Sequence, residues 1–302
     1  MTTQSARSSL TLTRVIGALV VATVVLILAN LLATSGDEAN RAEGVDWILY
    51  LVGAVITMAI YFFFAGRPIW QVTTREIVYM AIGAALYGVL SWATNIVQLP
   101  SVSLVSLRPA VVLPVFFGFV FGPVVGFFTG AVGNILGDAL TGWGVYPVWD
   151  IGNGLMGMIP GLILAFANRE RVTRNVLYLV AGVLIVFTAL ALAFPAVEHP
   201  WAGQTVGQWW PLLVILLVLV VAGYLLLRRR PSIGASIVWG ALGVIVGMGF
   251  ASIADIWVNG YSVATALLGE FVPAAGANLF MIVILMPILT AAWEAARAQS
   301  GR

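Results

Sequence analysis

The sequence predicts an all-α, polytopic membrane protein with about ten transmembrane helices, and composition is the first reason. Hydrophobic residues make up 61% of the 302 residues, whereas charged residues make up only 9%. A soluble domain carries about 25% charged residues, so most of this chain has no surface suited to water. The second reason is that apolar stretches of bilayer-spanning length, roughly 20 residues each, recur along the whole chain.

These stretches define the predicted helices in order. The fourth and fifth are short and meet at Phe121-Gly122-Pro123, where Pro123 is placed to begin the fifth helix. We therefore expect a tight helical hairpin at that point. The ten predicted segments are 14–34, 46–65, 76–94, 107–121, 123–140, 150–168, 176–194, 211–227, 234–257 and 270–292.

Arginine placement predicts the orientation, because basic residues are enriched in cytoplasmic loops. With the N-terminus in the cytoplasm, all of the 14 basic residues except Arg41 and Arg108 lie on the inner side. An odd number of helices would reverse half of the arginine clusters. We therefore expect a multi-pass protein of the plasma membrane with both termini in the cytoplasm.

Several kinds of chemistry are excluded by missing residue types. The chain has no cysteine and no lysine, and His199 is its single histidine. A disulfide framework, a multi-histidine metal site and a Walker A phosphate loop are therefore ruled out. Neither H-E-x-x-H nor G-x-S-x-G occurs. We expect no cofactor, no metal and no enzymatic activity.

Polar residues inside apolar segments mark a predicted binding site, because ionisable groups in a membrane are costly. The densest cluster maps to the outer half of the protein, and Asn134 and Asp138, four residues apart, share one helix face. Carboxylates, amides and aromatic rings on one side suit a flat polar molecule. The predicted substrate-binding residues are Asn95, Arg108, Asn134, Asp138, Trp143, Tyr146, Trp149, Asp150, Asn153 and Asn278.

Each of these residues also has a simpler interpretation. Tryptophan and tyrosine at a membrane boundary are usually interfacial belt residues. Arg108 with Asp138 or Asp150 forms, in this view, only a structural ion pair. Asn134 and Asn278 equally suit hydrogen bonds between helices.

A stripe of small residues on the third helix is a second feature. Small residues at this spacing let another helix approach closely. The stripe serves either internal packing or the docking of another membrane protein. Its members are Ala81, Ala84, Ala85 and Gly88.

Five segments between Arg75 and Leu164 form a recognisable series. They are Arg-Glu-Ile-Val-Tyr-Met-Ala-Ile-Gly-Ala-Ala-Leu from residue 75, Arg-Pro from 108, Phe-Gly-Pro-Val-Val-Gly-Phe from 121, Gly-Asn-Ile-Leu-Gly-Asp from 133 and Trp-Asp-Ile-Gly-Asn from 149. With these segments, the stretch from Arg75 to Leu164 resembles the substrate-binding S component of energy-coupling factor (ECF) vitamin transporters, most closely the riboflavin-type branch. Residues 234–292 resemble the last two helices of that family.

The resemblance implies a six-helix core that binds a vitamin or cofactor precursor near the outer face. It implies partners, namely a transmembrane T component and two cytoplasmic ABC-type ATPases. An Ala-x-x-x-Ala-type face docks the T component in this family, and Ala81 and Ala85 match it. The loop at 95–106 is expected to cover the ligand. Partner ATPases are then expected to drive toppling of the subunit within the membrane.

The chain is longer than that core. We expect two additional helices in 1–70, core helices 1–4 in 71–170, an inserted helix pair in 171–233, and core helices 5–6 with a cytoplasmic tail in 234–302. The sequence assigns no function to the additions.

Two other functions remain open. One is a stand-alone proton- or ion-coupled carrier that uses Asp138, Asp150, Asp255 and Glu270, although no inverted repeat is evident. The other is a membrane enzyme. The substrate also stays open among riboflavin, thiamine or its pyrimidine, a deazaguanine and other flat heterocycles, with riboflavin first through the resemblance.

Overall fold

The computed structural model describes residues 2–33, 42–96, 107–200 and 203–300, except the side chains at 2–10, 33, 96 and 210. Across these ranges the chain is helical, and one isolated antiparallel bridge, Glu198 with Thr205, is the only extended pairing. The helices are α1 (Thr2–Ala33), α2 (Gly44–Phe63), α3 (Thr74–Ile96), α4 (Val112–Phe121), α5 (Pro123–Thr141), α6 (Pro147–Gly161), α7 (Arg169–Ala193), α8 (Trp210–Arg229), α9 (Pro231–Val258) and α10 (Val272–Gln299).

The predicted fold class is confirmed. Among the described residues, nine helices are long and apolar enough to cross a membrane, and a tenth apolar helix, Pro109–Phe121, is shorter. The last span is longer than the sequence predicted, because a π-helical segment, Thr265–Phe271, leads directly into α10. The chain is a multi-pass membrane protein.

Helices α5 and α6 form the centre of the bundle. In the α6 span 89% of residues are buried, compared with 17% in the α1 span. Helices α3, α4 and α9 pack around this central pair. The outer helices expose large apolar side chains, such as Phe63 and Ile185, which suits contact with lipid.

The turn between α4 and α5 has the predicted hairpin form. Gly122 adopts φ +106°, a conformation that residues with a Cβ atom rarely adopt. Pro123 then occupies the first turn of α5, where its missing N–H needs no partner. The prediction that Pro123 begins the fifth helix is confirmed.

Glycines bring the backbones of α5 and α6 into direct contact. A Cβ atom at Gly126 would collide with the carbonyl oxygen of Gly157, and one at Gly130 would collide with that of Asn153. The contact fixes the position of the last two turns of α5 relative to the first turns of α6. Those turns carry the predicted site.

The additional helices pack directly on the others. Helix α1 lies against α5, α2 against α6 and α9, and α7 and α8 against α9. The additions therefore extend one bundle. The division of the chain into a six-helix core and two additions, at 1–70, 71–170, 171–233 and 234–302, stays a prediction.

Candidate functional site

The centre of the site is a buried hydrogen-bonded cluster of one amide and two carboxylates. Asn134 Nδ2 donates to Asp138 Oδ2 at 2.9 Å, within α5. The same nitrogen donates to Asp150 Oδ1 at 2.8 Å, across to α6. The three side chains are 2%, 5% and 1% exposed, respectively, so the structure brings together three of the predicted residues.

Both carboxylates have an oxygen atom without a partner. Asp138 Oδ1 and Asp150 Oδ2 are buried, and no group of the described residues donates a hydrogen bond to them. The amide oxygen of Asn95 is buried and unpartnered in the same way. Buried polar atoms are normally hydrogen-bonded, so these acceptors indicate a place for a donor from outside the chain.

Asn95 lies beside the end of α5. Its Nδ2 donates to Thr141 Oγ1 at 3.0 Å, and Thr141 Oγ1 donates to the carbonyl oxygen of Gly137 at 2.7 Å. The end of α3 is thereby tied to the end of α5. Residues 97–106, most of the loop expected to cover the ligand, lie outside the described residues.

A second hydrogen-bonded chain joins α3 to α6. The hydroxyl of Tyr87, which is fully buried, donates to Asn153 Oδ1 at 2.8 Å. Asn153 Nδ2 in turn donates to the carbonyl oxygen of Trp149 at 2.9 Å. The predicted residue Asn153 therefore helps to hold the first turns of α6, through a tyrosine that sequence reasoning missed.

The predicted aromatic residues and Arg108 lie around the α5–α6 connection. The Arg108 guanidinium stacks 4.8 Å from the ring centre of Trp143. The Tyr146 hydroxyl donates to the Trp143 carbonyl oxygen at 2.9 Å, and the Tyr146 side chain is 44% exposed. Within the described residues the single ion pair joins Arg75 to Glu76. The alternative interpretation of Arg108, a structural ion pair with Asp138 or Asp150, is therefore wrong.

Trp149 also connects the site to a second acidic pair. Its Nε1 donates to Asp255 Oδ2 on α9 at 3.0 Å. The carboxyl group of Glu270, in the π-helical segment, lies next to that of Asp255, and both side chains are buried. Sequence reasoning named these two acids as coupling groups of a carrier and did not pair Asp255 with Trp149.

Asn278 lies apart from this cluster. It is half-buried in α10, which packs mainly against α4, α8 and α9. The hydrogen bonds that join the other predicted polar residues do not include it.

The stripe of small residues on α3 is divided by the packing. Ala84 is 3% exposed, and Gly88 lies against Leu136 and Gly133 of α5. These two residues are not accessible to a partner, which corrects that part of the prediction. The physical reason is that the edge of the α3–α5 interface runs along the stripe. Ala81 and Ala85 are exposed.

A cleft of about 740 Å³ opens at the opposite end of the bundle. It lies between the beginning of α3, the α4–α5 turn and the end of α10, and three arginines line it: Arg75, Arg169 and Arg297. The length of α5, at 1.5 Å per residue, separates this cleft from the aspartates. It is therefore distinct from the predicted site.

Comparison with known proteins relates the central cluster to a family. Residues 71–203 match the sequence profile of the ECF-type riboflavin transporter S component family. This segment, somewhat under half of the chain, is therefore similar to that family. The ECF S component match begins just before α3 and ends after α7, so it contains the Asn134–Asp138–Asp150 cluster. The family consists of transporter subunits rather than enzymes.

Similar proteins cover part of the chain. A UPF0397 protein of Vibrio atlanticus is 34% identical over 119 residues, which are 39% of this chain and 64% of that protein. A UPF0397 protein of Aliivibrio salmonicida is 36% identical over 100 residues, 33% of this chain and 54% of that protein. One of Streptococcus gordonii is 35% identical over 121 residues, 37% of this chain and 63% of that protein.

The chain thus spans between about half and two thirds of the length of these relatives. No solved structure matches it. The apolar helices and the similarity to the ECF S component family together indicate a multi-pass protein of the plasma membrane.

Proposed function

We propose that the chain is the membrane-embedded substrate-binding subunit of an ECF-type importer. It captures a vitamin or cofactor precursor at the outer face for ATP-driven uptake. The observation that carries the proposal is the buried cluster of Asn134, Asp138 and Asp150, whose unused acceptors lie within the ECF S component match. Its termini lie in the cytoplasm, as the arginine distribution predicts.

The surrounding residues support a flat heterocycle as substrate. The rings of Trp143 and Trp149 offer flat faces near the aspartates, and acceptor oxygens are available to its polar edge. Riboflavin is the first ligand to test, because the family description names it. The loop at 95–106 closes over the bound molecule, as the resemblance implies.

Energy comes from partner chains in this proposal. The chain has no lysine and hence no Walker A loop, so two cytoplasmic ABC-type ATPases supply ATP hydrolysis. A transmembrane T component joins these ATPases to the chain. The exposed Ala81 and Ala85, one helical turn apart on α3, form the docking face for the T component. Toppling of the subunit then releases the substrate inward.

Transport by right-side-out membrane vesicles tests this function. Vesicles that contain the chain and its partners are loaded with ATP. Uptake is then measured for radiolabelled riboflavin and, after that, for each compound that the purified chain releases. ATP-dependent uptake that survives a protonophore is expected. Uptake that requires a proton gradient and does not depend on internal ATP would contradict the proposal.

One observation favours a second function, a stand-alone proton-coupled carrier. Asp138, Asp150, Asp255 and Glu270 are all buried, and Trp149 links the two acidic pairs. Buried carboxyl groups of this kind serve proton relays in carriers. In the same vesicles this carrier would take up substrate with an imposed proton gradient alone, and Asp138→Asn would abolish that dependence while retaining binding.

A further inference from the structure

We infer that the ligand of this site presents an edge with two adjacent N–H donors, as in a 2-amino-4-oxo heterocycle. The inference rests on the proposed function, since it names the ligand class of the same site. It distinguishes such a ligand from isoalloxazine, whose polar edge has one N–H group between two carbonyl oxygens.

The Asn134 amide determines which hydrogen-bond partners the two aspartates still lack. An amide nitrogen has two hydrogen atoms, and the structure uses one for Asp138 Oδ2 and the other for Asp150 Oδ1. That nitrogen therefore has no hydrogen atom left for a ligand. Each aspartate keeps one buried oxygen, Asp138 Oδ1 and Asp150 Oδ2, that accepts but does not donate when ionised.

A third acceptor lies on a different helix, and it is unpartnered for a separate reason. The Asn95 amide is oriented by its donation to Thr141 Oγ1, which leaves its Oδ1 buried without a donor. Asn95, Asp138 and Asp150 are each at least nine-tenths buried. The unused hydrogen-bonding capacity of the site thus includes three acceptors from α3, α5 and α6. It also includes the buried hydroxyl of Ser91 on α3, beside Gly137, which can donate one hydrogen bond to a ligand carbonyl group.

Acceptors require donors on the ligand. Aspartate recognises amino groups of heterocycles by accepting their N–H bonds, and N–H···O⁻ hydrogen bonds are stronger than those between neutral groups. Because each aspartate has one unused oxygen, two N–H groups of the ligand would bind one oxygen on each aspartate. A 2-amino group beside a ring N–H supplies two such donors. The neighbouring 4-oxo group needs a donor in turn, and the Arg108 guanidinium over Trp143 is the nearby cation.

Isoalloxazine matches this arrangement poorly. Two of the three polar atoms on its edge are carbonyl oxygens, which would face carboxylate oxygens and leave buried acceptors unpaired. A site built to hydrogen-bond N–H groups strongly rejects an analogue that lacks them. The expected discrimination between otherwise matched rings is at least tenfold in affinity.

Two matched ligand pairs test the inference by calorimetry on the full-length chain, purified in detergent. The pairs are 2-amino-4-oxopteridine with 2,4-dioxopteridine, and 7-deazaguanine with 7-deazaxanthine; riboflavin is the fifth ligand. Within each pair the amino compound is expected to bind at least tenfold more tightly. Asp138→Asn and Asp150→Asn should remove this preference, because each replaces an acceptor oxygen with an N–H donor.

Asp46→Asn is the matched control, because the Asp46 carboxylate already accepts the Glu43 backbone N–H at the start of α2. It should keep the preference. If the site variants fail to fold, the selectivity of the wild-type chain decides alone. Any of three results overturns the inference: equal affinity within both pairs, tighter binding of the dioxo compounds or of riboflavin, or no binding of any of the five ligands.

The two proposals fail in different ways. If riboflavin binds tightly and Asp138→Asn abolishes that binding, the inference of a ligand with two N–H donors is overturned and the proposed function is supported. Preference for the amino compounds without ATP-driven uptake of them would support the inference and contradict the proposed function.

Discussion

At the scale of single residues, the site depends on a shared donor. Asn134 reaches an aspartate on its own helix and one on the next helix with the same nitrogen, at 2.9 and 2.8 Å. The two bonds hold one oxygen of each carboxylate, and Asp138 Oδ1 and Asp150 Oδ2 are left without a partner among the described residues. We therefore expect the loss of any member to disturb recognition of a ligand at the other two.

We expect Asn134→Ala and Asp138→Ala to weaken ligand binding much more than they disturb folding. A good buried polar contact contributes roughly 1–3 kcal/mol, or about a ten- to hundredfold change in affinity. Calorimetry with the compound that the wild-type chain binds measures the loss, and Asp46→Asn is the control. Wild-type affinity in both variants would show that the cluster is only packing between helices.

We expect Tyr87→Phe to reduce stability more than ligand affinity. The substitution removes the hydroxyl that donates to Asn153 Oδ1 and leaves a buried acceptor unpaired. The free energy of unfolding is expected to fall by about 1–3 kcal/mol. Thermal unfolding in detergent checks the loss, while ligand affinity should change less than in Asp138→Ala. An unchanged unfolding temperature would contradict this role.

At the scale of helices, the contact between α5 and α6 positions the site. Gly130→Ala places a methyl group against the Asn153 carbonyl oxygen, so the helices must separate. We expect a loss of about 1–3 kcal/mol in stability, together with weaker ligand binding. Gly182→Ala on α7 is the matched control, because a methyl group there meets no atom within 4 Å. Equal unfolding temperatures for the two variants would contradict the role of this contact.

The exposed part of the α3 stripe carries the docking prediction. Ala81→Leu with Ala85→Leu should leave ligand binding intact and abolish ATP-driven uptake, measured in the vesicles described above. Ala189→Leu with Ala193→Leu, an equally spaced and exposed pair on α7, is the control and should transport normally. Uptake that survives the α3 double substitution would show that this face does not dock a partner.

Sequence reasoning found the helices because apolar length and proline position are local signals. It found the α4–α5 hairpin from Pro123 for the same reason. It missed Tyr87 and Asp255 as partners of the site, since they pair with residues 66 and 106 positions away. It likewise did not separate Ala84 from Ala85, because the difference depends on where α5 packs.

At the scale of the whole molecule, the predicted orientation places the aspartates and the arginine-lined cleft on opposite sides of the membrane. The chain has no cysteine, so each introduced cysteine is unique. In intact cells, a membrane-impermeant maleimide should label Asn259→Cys, near the end of α9, but not Glu170→Cys, at the start of α7. Both positions are exposed. The reverse labelling pattern would show that the orientation is inverted.

The most direct test of the central claim is mass spectrometry of the small molecules released from the purified chain. The wild-type chain should release one flat heterocycle in near-stoichiometric amount, and an Asp138→Asn, Asp150→Asn double variant of normal thermal stability should release none. Release of no compound from the wild-type chain, or of the same amount from both proteins, would contradict a substrate-binding site at these aspartates.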